Sequence, residues 1–302
     1  MSDDRLRVAF VDAFTREPLT GNAAGVVPDA SELSADQCQA IARELSISET
    51  AFLFPSESAD RRIRYFTPTQ EVALCGHATI GAHVHLHEEG VVGAGSHALE
   101  TNVGDLEIEI TEDGTVWMTQ TAPSVRQADV SVDRVADALG IDRASIDAVE
   151  TDLPLAVAST GLPFLIVPVA FFADLRDAAP DMAAIEALSD ELDVTGVYLF
   201  TFDALESEAT LHARMFAPSS GVPEDPVTGT ASGAVGGYLR HFAAFDGEFP
   251  DELRLEQGHF MDRPGQVRVR VDEQVRVGGQ GVPVLDGRLA VPDDPDDEIL
   301  EA

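Results

Sequence analysis

Lysine is missing from this 302-residue chain: all 19 of its basic residues are Arg, set against 54 acidic ones. That absence excludes Schiff-base chemistry and a Lys general base, and it leaves any Walker-type phosphate loop without its cation. Positive charge is scarce as well. The formal net charge is −35, which repels nucleic acid and anionic membrane surfaces. Because 44% of the residues are hydrophobic, the acid is expected to coat a folded surface rather than to mark disorder. Such an exterior fits a halophilic setting, a salt-rich cytoplasm in which screening relieves self-repulsion.

Cysteine is limited to Cys38 and Cys75, too few for a disulfide framework. The N-terminal stretch "MSDDRLRVAFVDAF" has no apolar core of the kind a signal peptide carries, so an unprocessed cytoplasmic chain with free thiols is expected. Long hydrophobic runs are absent too. The most apolar window, residues 153–173, is interrupted by Pro154, Ser159, Thr160, Gly161, Pro163 and Pro168; it reads as strand, turn, strand, and no membrane association is expected.

What the chain does contain is a long-range repeat. "RYFTPTQEVALC" from Arg64 and "RMFAPSSGVPED" from Arg214 share Arg, Phe, Pro and Val at a constant offset, which sets Asp225 opposite Cys75. After a three-residue insertion, "GHATIGA" faces "GTASGA". Upstream, "LSADQCQAIARELSISETAFLF" and "APDMAAIEALSDELDVTGVYLF" each read as an amphipathic helix leading into a strand, and "LETNVGDLEIEI" pairs in kind with "LEQGHFMDRPGQVRVRV". The expected organisation is α+β: an N-terminal lobe over 1–120, a connection over 121–150 with a helix at 131–139, a C-terminal lobe over 151–290 and an acidic tail over 291–302. The small and apolar stretches "ATIGAHVHL" and "TASGAVGGYL" suit helices buried inside curved sheets. Pseudo-twofold lobes would point both helix starts into a shared cleft.

Taken alone, "CGHAT" is only a Gly and Thr turn with a small buried Cys75. Its second copy, "EDPVTGTA", makes the pair of helix starts a candidate carboxylate site, since their backbone N–H groups and dipoles favour an anion. His83, His85 and His87 alternate, but no Glu sits between them in zincin spacing, so no metal is expected. A two-thiol racemase needs a Cys on each face of the substrate carbon, and the repeat offers Asp225 instead. Cys38 falls on an apolar stripe with Ile41, Ala42 and Leu45 and is expected in the core. Glu49 breaks the symmetry: the matching place in the other half reads "DVTG", so one carboxylate in the cleft is a candidate general acid and base, or else a surface loop residue.

Through "VDAFTREPLTGNAAGVV" (11–27), "LSISETAF" (45–52), "RYFTPTQEVALCGHAT" (64–79), "TGLPFLIVPV" (160–169), "RMFAPSSGVPEDPVTGTASGAVGGYL" (214–239) and "LEQGHFMDRPGQVRV" (255–269), the sequence resembles the phenazine-biosynthesis PhzF-like family of the diaminopimelate epimerase superfamily. The resemblance implies a diaminopimelate epimerase-like fold, two pseudo-symmetric lobes each wrapping a curved sheet round a central helix. It also implies a homodimer, no cofactor, and an isomerase acting on a small-molecule carboxylate. The family's general acid/base glutamate falls on Glu49, its cleft histidine on His77 and its paired aspartate on Asp225. Asn22, Gly76, Gly229 and Thr230 fall where the substrate is bound. Two departures, Thr230 in place of the more common Ser and Ala23 in place of Pro, bear on pocket shape. The alternatives are a Cys75-assisted epimerase or racemase and a non-catalytic carboxylate-binding protein.

Overall fold

Capping and alternation set the local elements of the computed structural model, which describes residues 5–149 and 152–293. In chain order the first elements are β1 (Arg5–Ala13), β2 (Asn22–Val27), α1 (Ala35–Leu45), β3 (Glu49–Phe54), β4 (Arg61–Phe66), β5 (Glu71–Val72), α2 (Gly76–Glu88), β6 (Gly95–Thr101), β7 (Gly104–Ile110) and β8 (Val116–Thr119). There follow β9 (Ser124–Gln127), α3 (Val132–Leu139), α4 (Arg143–Asp147), β10 (Ala156–Ser159), β11 (Pro163–Pro168), α5 (Phe172–Asp177), α6 (Met182–Leu192), β12 (Gly196–Thr201), β13 (Leu211–Ala217) and β14 (Val222–Asp225). The last are α7 (Gly229–His241), β15 (Leu253–Gln257), β16 (Gly265–Val271), β17 (Val275–Gly279) and β18 (Gly281–Ala290).

Two compact units result. Unit 1 takes the described residues up to Met118 together with those from Gly279 onward, and unit 2 takes Thr119–Gly278. Within unit 1 the strand order is β18, β1, β2, β3, β4, β6, β7, β8, with β2/β3 and β4/β6 parallel and every other neighbour antiparallel. Unit 2 repeats that order and those directions as β9, β10, β11, β12, β13, β15, β16, β17. The short strands β5 and β14 hang antiparallel on β4 and β13.

The boundaries differ from those expected at both ends of unit 2. Residues 281–290, expected in the C-terminal lobe, form β18 and run antiparallel to β1 from Arg5↔Ala290 to Ala13↔Gly281, so the end of the chain supplies the first strand of unit 1. The expected connection, 121–150, instead begins unit 2: β9 pairs with β10, and Val135 and Leu139 of α3 lie in the same apolar core as Leu165, Val197 and Phe216. The α3 helix itself is placed as the sequence predicts, capped by Ser131 and closed by Gly140 at φ 63°, a left-handed position that favours glycine. The expected acidic tail lies outside the described residues from 294 onward. Residues 153–173 become β10, β11 and the start of α5, and no helix among the described residues is long and apolar enough to cross a membrane.

One repeated device sets where Glu49 enters the sheet. Ser34 and Gln37 form a capping box at the start of α1, and Asp181 caps α6, satisfying otherwise orphaned helix N–H groups. Both helices end on a non-glycine residue in the left-handed region, Ser46 and Asp193, each at φ 53°. The chain turns there and three residues later starts a strand parallel to its neighbour, β3 on β2 and β12 on β11. Glu49 and Gly196 therefore hold equivalent positions.

Each unit has a helix enclosed by its own sheet. In α2 every residue from Ala78 to Leu86 is buried. In α7 close approach requires glycine: a Cβ on Gly236 would stand 2.7 Å from Val269 Cγ1, and one on Gly237 2.6 Å from Pro123 Cβ. A matched brace supports each helix start. Arg64 pairs with both oxygens of Glu71 at 2.8 Å, and Arg214 pairs with both oxygens of Glu224 at 2.8 and 2.9 Å. The Arg64 hydrogen bonds hold the Glu71 carboxyl below its usual range, with partial burial opposing. Cys38 is core, as its stripe predicts, beside Ile41, Phe52 and Phe66, and burial pushes its thiol up to about 12.

Candidate active site

In unit 1 three chain segments converge at the N-terminus of α2. Cys75 is the N-cap, at φ −141° and ψ 117°, and its side chain makes no capping bond. Gly76 and His77 follow as the first helical residues, so their backbone N–H groups lie among the four that an α-helix leaves without an internal partner. The turn is fixed from behind: Thr79 Oγ1 donates to the Cys75 carbonyl at 2.6 Å, and the buried Tyr65 hydroxyl meets Thr79 Oγ1 at 2.6 Å. Burial raises the Tyr65 phenol above its ordinary range, so it serves as a neutral hydrogen-bonding post.

Onto this helix start β3 delivers Glu49. Its Oε2 lies 3.3 Å from His77 Nε2, the two side chains being 21% and 11% exposed, enough to admit a ligand while removing most bulk water. Ser48 Oγ also lies 3.3 Å from His77 Nε2, and Cys75 Sγ lies 3.4 Å from His77 Nδ1. Asn22 is buried at the first position of β2, two residues before Ala24, the partner of Glu49 in the parallel ladder. Ser48 Oγ reaches back to the Ala23 carbonyl at 3.4 Å, tying the β2 and β3 starts together. A carboxylate and an imidazole in contact, beside helix N–H donors, can pass a proton and hold a developing negative charge.

Unit 2 builds the matching turn with different chemistry. Thr228 is the N-cap of α7, with Gly229 and Thr230 following, and Ser232 Oγ donates to the Thr228 carbonyl at 2.8 Å as Thr79 does in the first copy. Helix register thus sets Thr228, not Asp225, opposite Cys75; the three-residue insertion falls before the helix, and the constant offset no longer applies there. Asp225 pairs with Met215 on β13, as Val72 pairs with Tyr65 on β4. Its Oδ2 accepts the Thr228 hydroxyl. Thr230 anchors the first turn through its carbonyl, which accepts from Thr160 Oγ1 at 3.3 Å.

Two groups that motif spacing did not single out hold these turns. Gln257, 1% exposed, donates from Nε2 to the Asp225 carbonyl at 2.7 Å and to Thr228 Oγ1 at 3.1 Å, while its Oε1 accepts from the Thr228 N–H at 3.1 Å. Ser48 is the second. Gln257 sits within "LEQGHF", a segment already noted for its resemblance, and its distance of about thirty positions from the turn conceals the contact.

Two of the three alternating histidines, His83 and His87, hold backbone carbonyls. His83 Nδ1 donates to the Thr79 carbonyl at 2.8 Å, and burial lowers the ring to about 4. His87 Nδ1 donates to the Val92 carbonyl at 3.1 Å, and His85 is buried on the same helix. Among the described residues, the ligand-spaced group is Glu49, Cys75 and His77, whose donor atoms lie within 4.8 Å of one another.

The chain as a whole falls in one class of protein, isomerases of α+β fold. The family model described as "Phenazine biosynthesis-like protein" matches residues 11–287, and the chain belongs to that family. An uncharacterized isomerase, YfhB, from Bacillus subtilis is 36% identical over 87% of this chain and 89% of its own. The trans-2,3-dihydro-3-hydroxyanthranilate isomerase of Pseudomonas chlororaphis is 30% identical, covering 90% of this chain and 95% of its own. The crystal structure of a Bacillus anthracis PhzF-family protein superposes with a TM-score of 0.87 at 33% identity, covering 94% of this chain and 99% of the other. The expected diaminopimelate epimerase-like architecture is the one observed.

Proposed function

We propose that this isomerase moves a proton between two carbons of a small carboxylate, cyclic or acyclic, without a cofactor. The observation that carries the reading is the contact of Glu49 with His77 at 3.3 Å on a helix N-terminus, at a position where unit 2 has Gly196. Glu49 takes the proton from one carbon, the C–H electron pair passes into an enolate, and Glu49 returns the proton to the second carbon. Asp225 orients the substrate, and His77, as a hydrogen-bond donor, stabilises the enolate. Asn22 and the N–H groups of Gly76, Gly229 and Thr230 receive the carboxylate. A ring of the hydroxyanthranilate kind, which the Pseudomonas relative converts, is the first substrate class to try. A cytoplasmic homodimer working in high salt belongs to the same proposal, as does the absence of nucleic-acid partners.

One observation favours a second reading. Cys75 Sγ at 3.4 Å from His77 Nδ1 has the contact a thiol-assisted epimerase of an amino or hydroxy acid would use. The two readings, and a third in which the chain only binds a carboxylate, separate in one experiment. The protein is incubated in deuterated buffer with a panel of cyclic and acyclic carboxylates, and proton NMR follows both carbon-bound exchange and the appearance of isomers. Deuterium at two different carbons supports proton relocation. Deuterium at a single stereocentre with inversion supports the epimerase, and binding without exchange supports the binding protein.

A further inference from the structure

Behind the start of each enclosed helix runs a short chain of buried hydroxyls. In unit 1 the Cys75 carbonyl can only accept, so Thr79 Oγ1 gives its proton there at 2.6 Å and is left to accept from the Tyr65 hydroxyl at 2.6 Å. The Thr79 N–H reaches the same carbonyl at 3.1 Å. Unit 2 repeats the chain: the Tyr198 hydroxyl faces Ser232 Oγ at 3.3 Å, Ser232 Oγ donates to the Thr228 carbonyl at 2.8 Å, and the Ser232 N–H joins it at 3.0 Å. Tyr65, Thr79, Tyr198 and Ser232 are all fully buried, and burial raises both phenols, so each remains a neutral donor.

The two tyrosines do not hold matching positions. Because Glu49 matches Gly196, Ala51 matches Tyr198; yet Ala51 pairs with Tyr65, whereas Tyr198 pairs with Met215. One matched cross-strand pair thus supplies its tyrosine from β4 in unit 1 and from β12 in unit 2. A copied half would carry both on the same strand. A phenol reaching the same point from either side marks a demand for the hydroxyl itself, which an ordinary back-bond from Ser or Thr to the carbonyl four residues earlier does not have. The demand follows from the peptide group, since the Cys75 carbonyl and the Gly76 N–H belong to one peptide. Hydrogen bonds in series polarise one another in the low-dielectric interior, and density drawn to the carbonyl oxygen leaves the N–H more positive. We propose that Tyr65 and Thr79 are positioning residues that polarise the Gly76 N–H toward the substrate carboxylate, with Tyr198 and Ser232 their counterparts for Gly229. This role rests on the reading in which those amides receive the carboxylate.

The scarcity of cysteine makes the test selective. In full-length protein carrying cysteine labelled with carbon-13 at the carbonyl and glycine labelled with nitrogen-15, only the Gly76 amide follows a labelled carbonyl, because the other cysteine, Cys38, precedes Gln39. In Tyr65→Phe the Gly76 proton and the Cys75 carbonyl resonances should both move upfield, while the Cys38 carbonyl stays in place. Acetate titrated against the Gly76 amide should bind about two- to fivefold more weakly, given strengthening of about 10–30% per bond in a chain. Thr79→Ser keeps the hydroxyl and should behave as wild type. With carbonyl-labelled threonine the Thr228–Gly229 peptide is followed in the same way, and Tyr198→Phe should shift it less, its contact being 3.3 Å rather than 2.6 Å. Should Tyr65→Phe fold poorly, the double variant Tyr65→Phe with Thr79→Val removes the whole chain without leaving a buried donor unpaired and is expected to show the same shifts. Unmoved Gly76 and Cys75 signals, or equal acetate affinity in wild type and variant, would overturn the proposal. If the shifts appear but acetate leaves the Gly76 amide unperturbed even in wild type, the carboxylate reading fails, and with it the purpose assigned to the polarised amide.

Discussion

Replacing Gln257 by Leu removes the side chain that holds the Asp225–Thr228 turn while keeping a similar volume in a site that is 1% exposed. Three hydrogen bonds vanish, to the Asp225 carbonyl, to Thr228 Oγ1 and from the Thr228 N–H. Each buried polar group left without a partner costs about 1–3 kcal/mol. The carbonyl and the N–H are the two that lose most, and the Thr228 hydroxyl keeps Asp225 as its acceptor. The expected loss is therefore about 2–5 kcal/mol of unfolding free energy. For a unit of this size that corresponds to a Tm lower by roughly 5–15 °C, at about 2–4 °C per kcal/mol. Urea denaturation with an unchanged slope is the assay, since a shift in midpoint at constant slope reports stability. Gln257→Glu, which keeps the acceptor and loses the donor, should fall between wild type and Gln257→Leu. A loss below about 0.5 kcal/mol for the Leu variant would refute the view that this glutamine is what orders the second turn.

Other expectations are as direct. Cys75→Ala should retain most isomerase activity, and alkylation of the native protein should be slow, with Cys38 silent because it is buried and its thiol is raised to about 12; rapid, ligand-protected inactivation would instead support the thiol-assisted epimerase. His83, lowered by burial from 6.5 to about 4, favours the folded state fully above pH 6.5, because only the unfolded chain gains its proton as the pH falls. Roughly 3 kcal/mol should be lost between pH 6.5 and 4, and His83→Gln should flatten that part of the stability profile measured by chemical denaturation. A thermal-shift screen in high salt should rank carboxylates above their amides, with acetate protecting the Gly76 and His77 amides from hydrogen exchange; equal ranking would argue against an anion at the helix start.

Much of this was legible from periodicity. The Cys38 stripe, the helix at 131–139 closed by Gly140, and the paired helix-to-strand stretches all lie within windows where local pattern decides structure. The asymmetry between Glu49 and its counterpart was legible for the same reason, because both positions follow matched helices. Pairings between distant segments were not. Nothing in residues 281–290 says that they pair with β1 rather than with β17, since an alternating strand fits any open edge of suitable pattern, and that choice moved the unit boundary. The three-residue insertion before α7 displaced the match of Asp225 with Cys75, because a constant offset carries no information about where a turn lengthens. Gln257 and Ser48 act through single side-chain bonds to chain segments far away or across a turn, and neither belongs to a periodic pattern.

The central claim, that one carboxylate moves the proton, is tested most directly by following carbon-bound deuterium exchange in a turned-over carboxylate with Glu49→Gln beside wild type. General acid/base catalysis contributes about 10²–10⁴, and Glu49 has no counterpart in unit 2, where Gly196 stands. The account predicts a folded variant, with unchanged carboxylate affinity, whose exchange and isomerisation both fall by at least about a hundredfold. Exchange at near wild-type rate in that variant would contradict it and assign the proton transfer to another group.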